Sequence, residues 1–244
     1  MITIALLVPV CSRRQHYNTI EETPLIQYLL PSFLKTRDIE YKYKIFLGYD
    51  STDEYYCNNI DEIIKMCSSM WWQDIVAIKL EGCEHKPAKA WNDLFEVAIS
   101  EDFDYYYQIG DDVVMETPWT SKFVEVLQKH DNIGVVGGCH KRNYDLRLQR
   151  YMPPVIENAF LHKTHYHIFG ILFDKRIENW FCDDWLTGIY KPDYSHHLLD
   201  VHVTNKVIDG RYNVRCIFGK IGDLIEEGQK IFEQHKSEPS LQQT

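Results

Sequence analysis

The sequence lacks the features that define several large classes of protein. Its seven cysteines are odd in number and never form a CxxC pair, so neither a disulfide framework nor a zinc ribbon is indicated. No run reaches the roughly 20 apolar residues that a membrane-spanning helix requires. Positive charge is scarce, since 26 Lys and Arg stand against 36 Asp and Glu. The resulting net charge of −10 argues against general nucleic-acid binding.

A basic signal segment is absent as well. The N-terminal stretch MITIALLVPV is apolar, but no basic residues precede it, no small-residue cleavage pattern follows it, and Pro9 interrupts it. We therefore interpret it as a buried strand. Together with the scattered cysteines, it predicts a cytoplasmic protein with reduced thiols and no membrane span. Hydrophobic residues make up 45% of the 244 residues, which is ample for a packed core.

Alternating patterns of strand and helix predict the fold. Apolar runs at ITIALLVPV, KYKIFLGYD, DIVAIKLEG, YYYQIG and NIGVVGG alternate with helical patterns such as KPAKAWNDLFEVAIS. This order predicts an α/β protein with one Rossmann-like domain, in which a central, mostly parallel sheet carries helices on both faces.

Finer predictions concern where elements begin and end. A helix begins near Thr23 and is kinked or ended by Pro31, and Thr117 caps a helix that begins at Pro118. A further strand is predicted at HIFGILF. The basic and aromatic segment KRNYDLRLQRY is typical of a long functional loop that closes over a ligand. Residues 233–244 are predicted to form a flexible tail.

Polar side chains follow the predicted strands where parallel sheets bind ligands. Asp111 and Asp112 stand side by side after YYYQIG, and adjacent carboxylates are easiest to accommodate beside a cation. Mg²⁺ or Mn²⁺ takes one or two carboxylates together with substrate phosphates, so a metal-bound diphosphate is expected. Arg13 and Lys89 supply further positive charge, and Asp50 is placed to accept hydrogen bonds from a base or ribose.

The order of these motifs resembles a known family. A first strand ending PVCSR, a second ending at Asp50, the helix KPAKAWNDLFEVA and a strand ending GDD resemble nucleotide-sugar glycosyltransferases of the GT-A fold, such as small ones from large DNA viruses. The resemblance covers about residues 3–211. It implies one domain at 1–232, with a nucleotide-sugar half at 1–115 and an acceptor half at 116–232.

The resemblance also implies roles for individual residues. Asp112 would contact Mn²⁺ or Mg²⁺, although Gly110 stands where the family's Asp-x-Asp motif begins with Asp. In FCDDWLTGIY, Asp183 and Asp184 match an acidic pair at the acceptor site, with Asp184 as the base of an inverting transfer. His202 would be a second metal ligand, in competition with His196 and His197. The donor would contact Pro9, Val10, Ser12, Arg13, Asp50, Lys89, Asn92 and Asp111.

Each of these motifs also has an ordinary structural interpretation. The GDD stretch is typical of a turn, and an acidic pair such as Asp183 and Asp184 is common in the first turn of a helix. His202 on an alternating strand is typical of a core residue. Asp50 can simply begin the STDE turn, and Lys89 can be solvated helix surface. Aromatic side chains bind sugars where they are exposed and fill cores where they are buried. Both interpretations are open for Trp180, Trp185 and Tyr190.

The expected function is metal-dependent transfer of a sugar from a UDP- or GDP-sugar to a hydroxyl of a glycan or other acceptor. A nucleotidylyltransferase would need a glycine-rich loop after the first strand, and VPVCSRRQ has no glycine. A non-catalytic nucleotide- or glycan-binding protein and a metal-dependent phosphohydrolase remain alternatives. A transferase requires both acidic pairs to line the same crevice.

Overall fold

The computed structural model describes residues 1–71, 74–140, 144–145, 150–151, 155–206, 211 and 219–237. The strands are β1 Thr3–Val10, β2 Lys42–Asp50, β3 Ile75–Leu80, β4 Tyr105–Gln108, β5 Val113–Met115, β6 Val135–His140, β7 Tyr144–Asp145, β8 Arg150–Tyr151, β9 Phe160–His162 and β10 Ser195–Asn205. The α-helices are α1 Leu30–Thr36, α2 Glu54–Met66, α3 Pro87–Ile99, α4 Thr120–Lys129, α5 Thr164–Phe169, α6 Cys182–Ile189 and α7 Ile221–Ser237.

One curled sheet organises the domain, with the strand order β3-β2-β1-β4-β9-β6-β10-β5. The pairs β1–β2, β2–β3, β1–β4 and β6–β10 are parallel, whereas β9 and the edge strand β5 pair antiparallel to their neighbours. The predicted α/β architecture is therefore confirmed. The order of strands reverses at β1, because β2 and β3 lie on one side of it and β4 lies on the other. Open α/β sheets bind ligands at such a point.

Helices cover both faces of the sheet because the central strands are apolar on both sides. Along β1, the side chains of Ile4, Leu6 and Val8 pack into one buried cluster with residues of α1, α2 and α4. Ala5 and Leu7 pack into the opposite cluster with residues of α3, α6 and α7. This strict alternation follows from the two-residue repeat of a strand. It explains why the apolar run of β1 is continuous.

The helix near Thr23 does not end at Pro31. A π-helical turn at Leu25–Leu29 runs into α1, and the N–H of Leu30 donates to the carbonyl of Leu25. Pro31 has no N–H to give to the carbonyl four residues before it, and a π-turn before the proline accommodates that loss. The chain therefore stays helical through Pro31.

The predicted cap of α4 is also corrected. The helix begins at Thr120, and the hydroxyl of Thr117 instead accepts a hydrogen bond of 2.9 Å from the backbone N–H of His202. The carboxylate of Asp38 accepts from the backbone N–H of Ser121 at 2.9 Å. A residue distant in sequence thus takes the place of a local cap.

The segment HIFGILF is not a strand. It begins inside α5, which Gly170 ends in the left-handed conformation at φ 67°, a role that glycine fills at helix ends. His165 is buried, where its ring nitrogens contact the hydroxyl of Tyr190 at 2.8 Å and the carbonyl of Leu172 at 3.1 Å. Burial lowers the pKa of His165 to about 4. This histidine is a structural core residue.

The C-terminal prediction needs one correction. Residues 233–237 belong to α7, which is anchored by the buried Phe232 against Tyr190 and Tyr194. The remainder of the predicted tail, 238–244, lies outside the described residues, as does most of KRNYDLRLQRY. Of that segment, only the short pair β7–β8 is described. None of the helices described is long and apolar enough to cross a membrane.

Candidate active site

Residues that follow the first three strands surround a first cavity of about 350 Å³. Its size lies within the range of small-molecule sites in proteins. It opens at the carboxyl ends of β1, β2 and β3, beside the first turn of α3. The structure brings together here five of the residues that the sequence predicted for donor binding, namely Pro9, Val10, Ser12, Arg13 and Asp50.

The loop after β1 is fixed by hydrogen bonds. Asp53, which caps α2 by accepting from the N–H of Tyr56, also accepts from the N–H and the hydroxyl of Ser12 at 2.7 and 2.6 Å. Beside this loop, a guanidinium nitrogen of Arg13 pairs with Glu84 at 3.2 Å. Hydrogen bonds thus hold this wall of the first cavity, and its guanidinium stands in an ion pair with Glu84.

Asp50 is both the start of a turn and part of the cavity wall. One carboxylate oxygen accepts from the N–H and hydroxyl of Thr52 at 2.9 and 2.6 Å, and the other accepts from the N–H of Cys83 at 2.5 Å. Burial alone would raise the pKa of Asp50, but these hydrogen bonds together lower it. Asp50 therefore stays ionised and connects the ends of β2 and β3.

Asp111 lines neither the first cavity nor the cavity beside α6, because it pairs with an arginine of the protein. Its carboxylate is 2% exposed and forms a bidentate ion pair with Arg211, at 2.6 and 3.0 Å. Arg211 also donates to the hydroxyl of Tyr17 at 3.4 Å and lines the first cavity. The pair ties the chain after β10 to the end of β4. Both oxygens of the carboxylate that the resemblance assigned to ribose or donor sugar accept hydrogen bonds from Arg211.

A second cavity of about 540 Å³ is lined by carboxylates from both acidic motifs. Asp112, in the turn between β4 and β5, lines it together with Asp183 and Asp184 from the first turn of α6. Pro9 and Pro87 line both the first and the second cavity, so the two cavities are adjacent. A transferase was expected to have both acidic pairs in one crevice. Asp112, Asp183 and Asp184 meet this condition, whereas Asp111 does not line the second cavity.

Asp183 and Asp184 lie in a partly desolvated environment. Burial raises the pKa of Asp183 to about 7, the thiol of Cys182 opposes this by donating a hydrogen bond of 3.4 Å, and the charges of Glu157 and Asp184 add to the rise. Burial also raises the pKa of Asp184. A carboxylate with a raised pKa is a stronger base than one in water, which is what proton removal from a hydroxyl requires.

The raised pKa of Asp183 predicts a pH-dependent stability. The pKa is 3.8 in an unfolded chain and about 7 in the folded protein. At a pH between these two values, the folded state holds a proton that the unfolded state has lost. This contribution to the free energy of unfolding is complete below about pH 4 and is lost as the pH rises through 7. Asp183→Asn cannot ionise, so its stability relative to the wild type should grow between pH 5 and pH 8.

Urea denaturation at several pH values measures the difference in the free energy of unfolding between Asp183→Asn and the wild type. This difference amounts to about 1.4 kcal/mol for each pKa unit at full burial and less where solvent screens the group. Asp61→Asn, at an exposed position of α2, is the matched control and should show no such trend. A difference between Asp183→Asn and the wild type that does not change with pH would contradict the assignment.

Asp112 has space and polar neighbours in the second cavity. A Cβ atom at position 110 would lie 2.8 Å from Asp112 Oδ1, so Gly110 leaves room for this carboxylate. Glu157 and Asn205 line the same cavity, where the Asn205 amide donates to Glu157 at 2.8 Å and accepts from the Asn158 amide at 3.1 Å. Within the described residues, no three His, Cys, Asp or Glu side chains form a complete metal site. A divalent cation would need phosphate oxygens as well.

The structure does not bring His202 to Asp112. Asn205 pairs with Val113 next to the second cavity, whereas His202 lies three residues earlier on β10, about 10 Å along the strand. His196 and His197 are farther away, opposite Val136 and Gly137 of β6. This register does not place any of the three histidines beside Asp112, and the second metal ligand that the resemblance implied stays a prediction.

Lys89 and Asn92 lie on a different side of α3. They line a third cavity of about 320 Å³ with Tyr166. Lys89 pairs with Asp93, and the Asn92 amide is used by the loop after α5, donating to the carbonyl of Phe173 at 2.9 Å and accepting from its N–H at 2.8 Å. These contacts place both side chains outside the linings of the first two cavities, so their contact with the donor stays a prediction.

Several polar residues of the two cavities were missed in the sequence, among them Asp53, Arg211 and Glu157. Asp53 had a signal, because an Asp immediately before a helical pattern is a typical N-cap. Arg211 and Glu157 had none. Arg211 reaches Asp111 across a separation of 100 residues, and Glu157 enters the second cavity from the loop before β9.

No protein-family model and no curated protein matches the sequence. Solved structures match its fold. The chain is similar to TarS of S. aureus, a glycosyltransferase, with a TM-score of 0.61 and 12% identity over 96% of this chain and 42% of the other. A structure of TarS 1–349 in complex with UDP gives a TM-score of 0.59 and 11% identity over 93% and 65%. A further structure of TarS 1–349 gives a TM-score of 0.58 and 11% identity over 84% and 60%.

The chain thus shares the α/β fold of these structures and spans less than two thirds of their length. At this identity, the similarity concerns the fold alone. Membership of the GT-A group and a relationship to viral enzymes stay predictions.

Proposed function

We propose that the protein is a metal-dependent glycosyltransferase that moves a sugar from a UDP- or GDP-sugar to a hydroxyl acceptor. The observation that carries this proposal is the adjacency of the two cavities, because Asp112 stands with Asp183 and Asp184 in the second, and Pro9 and Pro87 belong to both. The nucleoside would occupy the first cavity, and the sugar and acceptor would meet in the second. The UDP bound to TarS in one similar structure supports a nucleoside diphosphate as ligand.

In the proposed mechanism, Asp184 takes the proton of the acceptor hydroxyl as its oxygen attacks the anomeric carbon. The bond from that carbon to the diphosphate oxygen breaks, and the diphosphate leaves with the electron pair. Attack from the face opposite the diphosphate gives inversion. The burial that raises the pKa of Asp184 increases its affinity for the proton, and Asp183 stands beside it as a second carboxyl.

The departing diphosphate needs positive charge. Asp112 would hold Mn²⁺ or Mg²⁺ together with the phosphate oxygens, and the cation would stabilise the negative charge that develops there. Arg13 on the wall of the first cavity would add a guanidinium. Asp50 and Ser12 would contact the nucleoside from the ends of β2 and β1.

Substitution of Asp112 tests the donor site. Calorimetric titration with UDP, GDP, CDP, ADP and their sugars, in Mn²⁺ or in EDTA, should show selective binding that depends on Mn²⁺. In Asp112→Ala this binding should weaken by at least about 100-fold, since the cation loses its carboxylate ligand and the diphosphate loses the cation. Asp61→Ala, which removes an exposed carboxylate of α2, is the control and should bind as the wild type does.

Turnover separates the transferase from the alternatives. A phosphohydrolase would release inorganic phosphate with water as acceptor, and a binding protein would hold the nucleotide without turnover. Absence of nucleotide binding under every metal condition would contradict the proposed donor site. We also propose a reducing, cytoplasmic location, with which the absence of a disulfide among the six described cysteines is consistent.

A further inference from the structure

The second cavity carries an aromatic surface that the proposed chemistry does not use. Trp180 lies on its wall with Asp183 and Asp184, yet 52% of the residue is exposed. Trp185 and Tyr190, the other aromatics singled out in the sequence, are buried in the core. Exposure of the largest apolar side chain forgoes the free energy that its burial would contribute. An aromatic face kept open inside a cavity therefore indicates a binding surface.

The backbone that carries Trp180 is firmly held. The amide of Asn179 donates to the carbonyl of His85 at 2.9 Å, and the carbonyl of Glu178 accepts from the N–H of Ala88 at 3.3 Å. Lys86 adds an ion pair with Glu178 at 2.8 Å. These contacts attach residues 178–179 to the start of α3. The indole is thus presented by an ordered segment, which reduces the entropy lost when a ligand binds.

A strained residue connects this surface to the acidic pair. Phe181 has φ 78°, in the left-handed region that bulky residues adopt at a cost and that is found most often at functional sites. Its carbonyl accepts from the N–H of Trp185 at 2.9 Å and so begins α6, which carries Asp183 and Asp184. The turn at Phe181 therefore sets the position of Trp180 relative to the proposed base.

The chemistry around Trp180 matches one class of acceptor. Next to its apolar face, the second cavity offers amide and carboxylate groups from Asn158, Asn205 and Glu157. A pyranose ring presents a flat face of C–H groups and a rim of hydroxyls, so it can stack on the indole while hydrogen bonding to these groups. A peptide hydroxyl or a linear polyol offers the hydroxyl without the flat face.

We propose that the acceptor is a saccharide and that its sugar ring stacks on Trp180 while its hydroxyl faces Asp184. This inference rests on the proposed function and identifies the class of the second substrate. Trp180 acts as a binding residue, so its loss should weaken acceptor binding more than it slows the chemical step.

Acceptor kinetics test the inference. Release of nucleoside diphosphate is measured with the best nucleotide sugar and a panel of probes: methyl glycosides of glucose, galactose, mannose, rhamnose and N-acetylglucosamine, glycerol, and a threonine peptide. We expect turnover with at least one glycoside. In Trp180→Ala, the KM for this glycoside should rise by roughly 10-fold or more, with a smaller change in kcat. In Trp180→Phe, the KM should return most of the way to the wild-type value. Tyr166→Ala, an exposed aromatic of the third cavity, is the control.

The outcomes separate this inference from the proposed function. An unchanged glycoside KM in Trp180→Ala, or turnover with glycerol or the peptide alone, would overturn the saccharide acceptor while nucleotide binding persists. Calorimetry of Trp180→Ala should give the wild-type affinity for the nucleotide, which shows that the variant is folded. If the wild type binds no nucleotide, both proposals fail.

Discussion

Asp184→Asn should abolish sugar transfer while leaving nucleotide binding intact. An amide cannot take the proton of the acceptor hydroxyl, and general-base catalysis of this kind contributes typically 10²- to 10⁴-fold to a rate. We therefore expect kcat to fall by about that factor. The affinity for the nucleoside diphosphate should stay unchanged, because Asp184 lines only the second cavity. Steady-state assays combined with calorimetry give both quantities.

The matched control is Asp193→Asn, which removes an exposed carboxylate just after α6. It should keep wild-type turnover. Asp183→Asn should fall between the two, since its carboxyl lies beside the base without being assigned the proton. Near-normal transfer by Asp184→Asn would contradict its role as base and would favour the simple interpretation of this pair as an acidic first turn.

Separating Asp111 from Arg211 should have the largest effect on stability. Both side chains are 2% exposed and joined by two hydrogen bonds, so removal of one partner leaves a buried charge without its counterion. Breaking a buried pair in this way costs about 3–5 kcal/mol. Asp111→Leu and Arg211→Met should each lower the free energy of unfolding by about this amount, measured by urea denaturation.

A double-mutant cycle tests this explanation. Replacing both partners removes both charges, so the double variant should be more stable than either single variant. The control is Arg176→Met, because Arg176 is 56% exposed and pairs with Asp174 and Glu227 at the surface, where ion pairs contribute about 0–1 kcal/mol. Single variants at 111 and 211 that lose no more than this control would contradict the buried pair.

Much of the site was predictable because the fold places strand ends together. Once the alternation of strands and helices indicated a parallel sheet, the residues after β1 and β2 had to meet at one edge. Ser12, Arg13 and Asp50 line the first cavity for this reason. The helix predicted at CDDW is present in the structure, and Asp183 and Asp184 lie in its first turn as expected.

The orientation of α3 was not predictable in the same way. Helical periodicity does show that Lys89, Asn92, Asp93 and Glu96 share one face, but not which cavity that face lines. Docking decides this: Ala90 and Leu94 pack toward the sheet, and Gly48 on β2 leaves the space for Leu94. The first turn then lies beside the first cavity, and Lys89 faces the third.

Asp111 and Arg211 show a second limit. From the sequence, two adjacent carboxylates indicated a shared cation. The structure divides them, since Asp111 turns inward to Arg211 and Asp112 turns toward the second cavity. Only a contact between residues distant in sequence could show that the positive charge beside Asp111 comes from the protein.

The most direct test of the central claim is a crystal structure of the protein with UDP or GDP, whichever binds more tightly, and Mn²⁺. We predict the nucleoside in the first cavity, beside Ser12 and Asp50, and the diphosphate with Mn²⁺ at Asp112, directed toward Asp184. A nucleotide bound instead in the third cavity beside Lys89, or a diphosphate without contact to Asp112, would contradict the proposed transferase site.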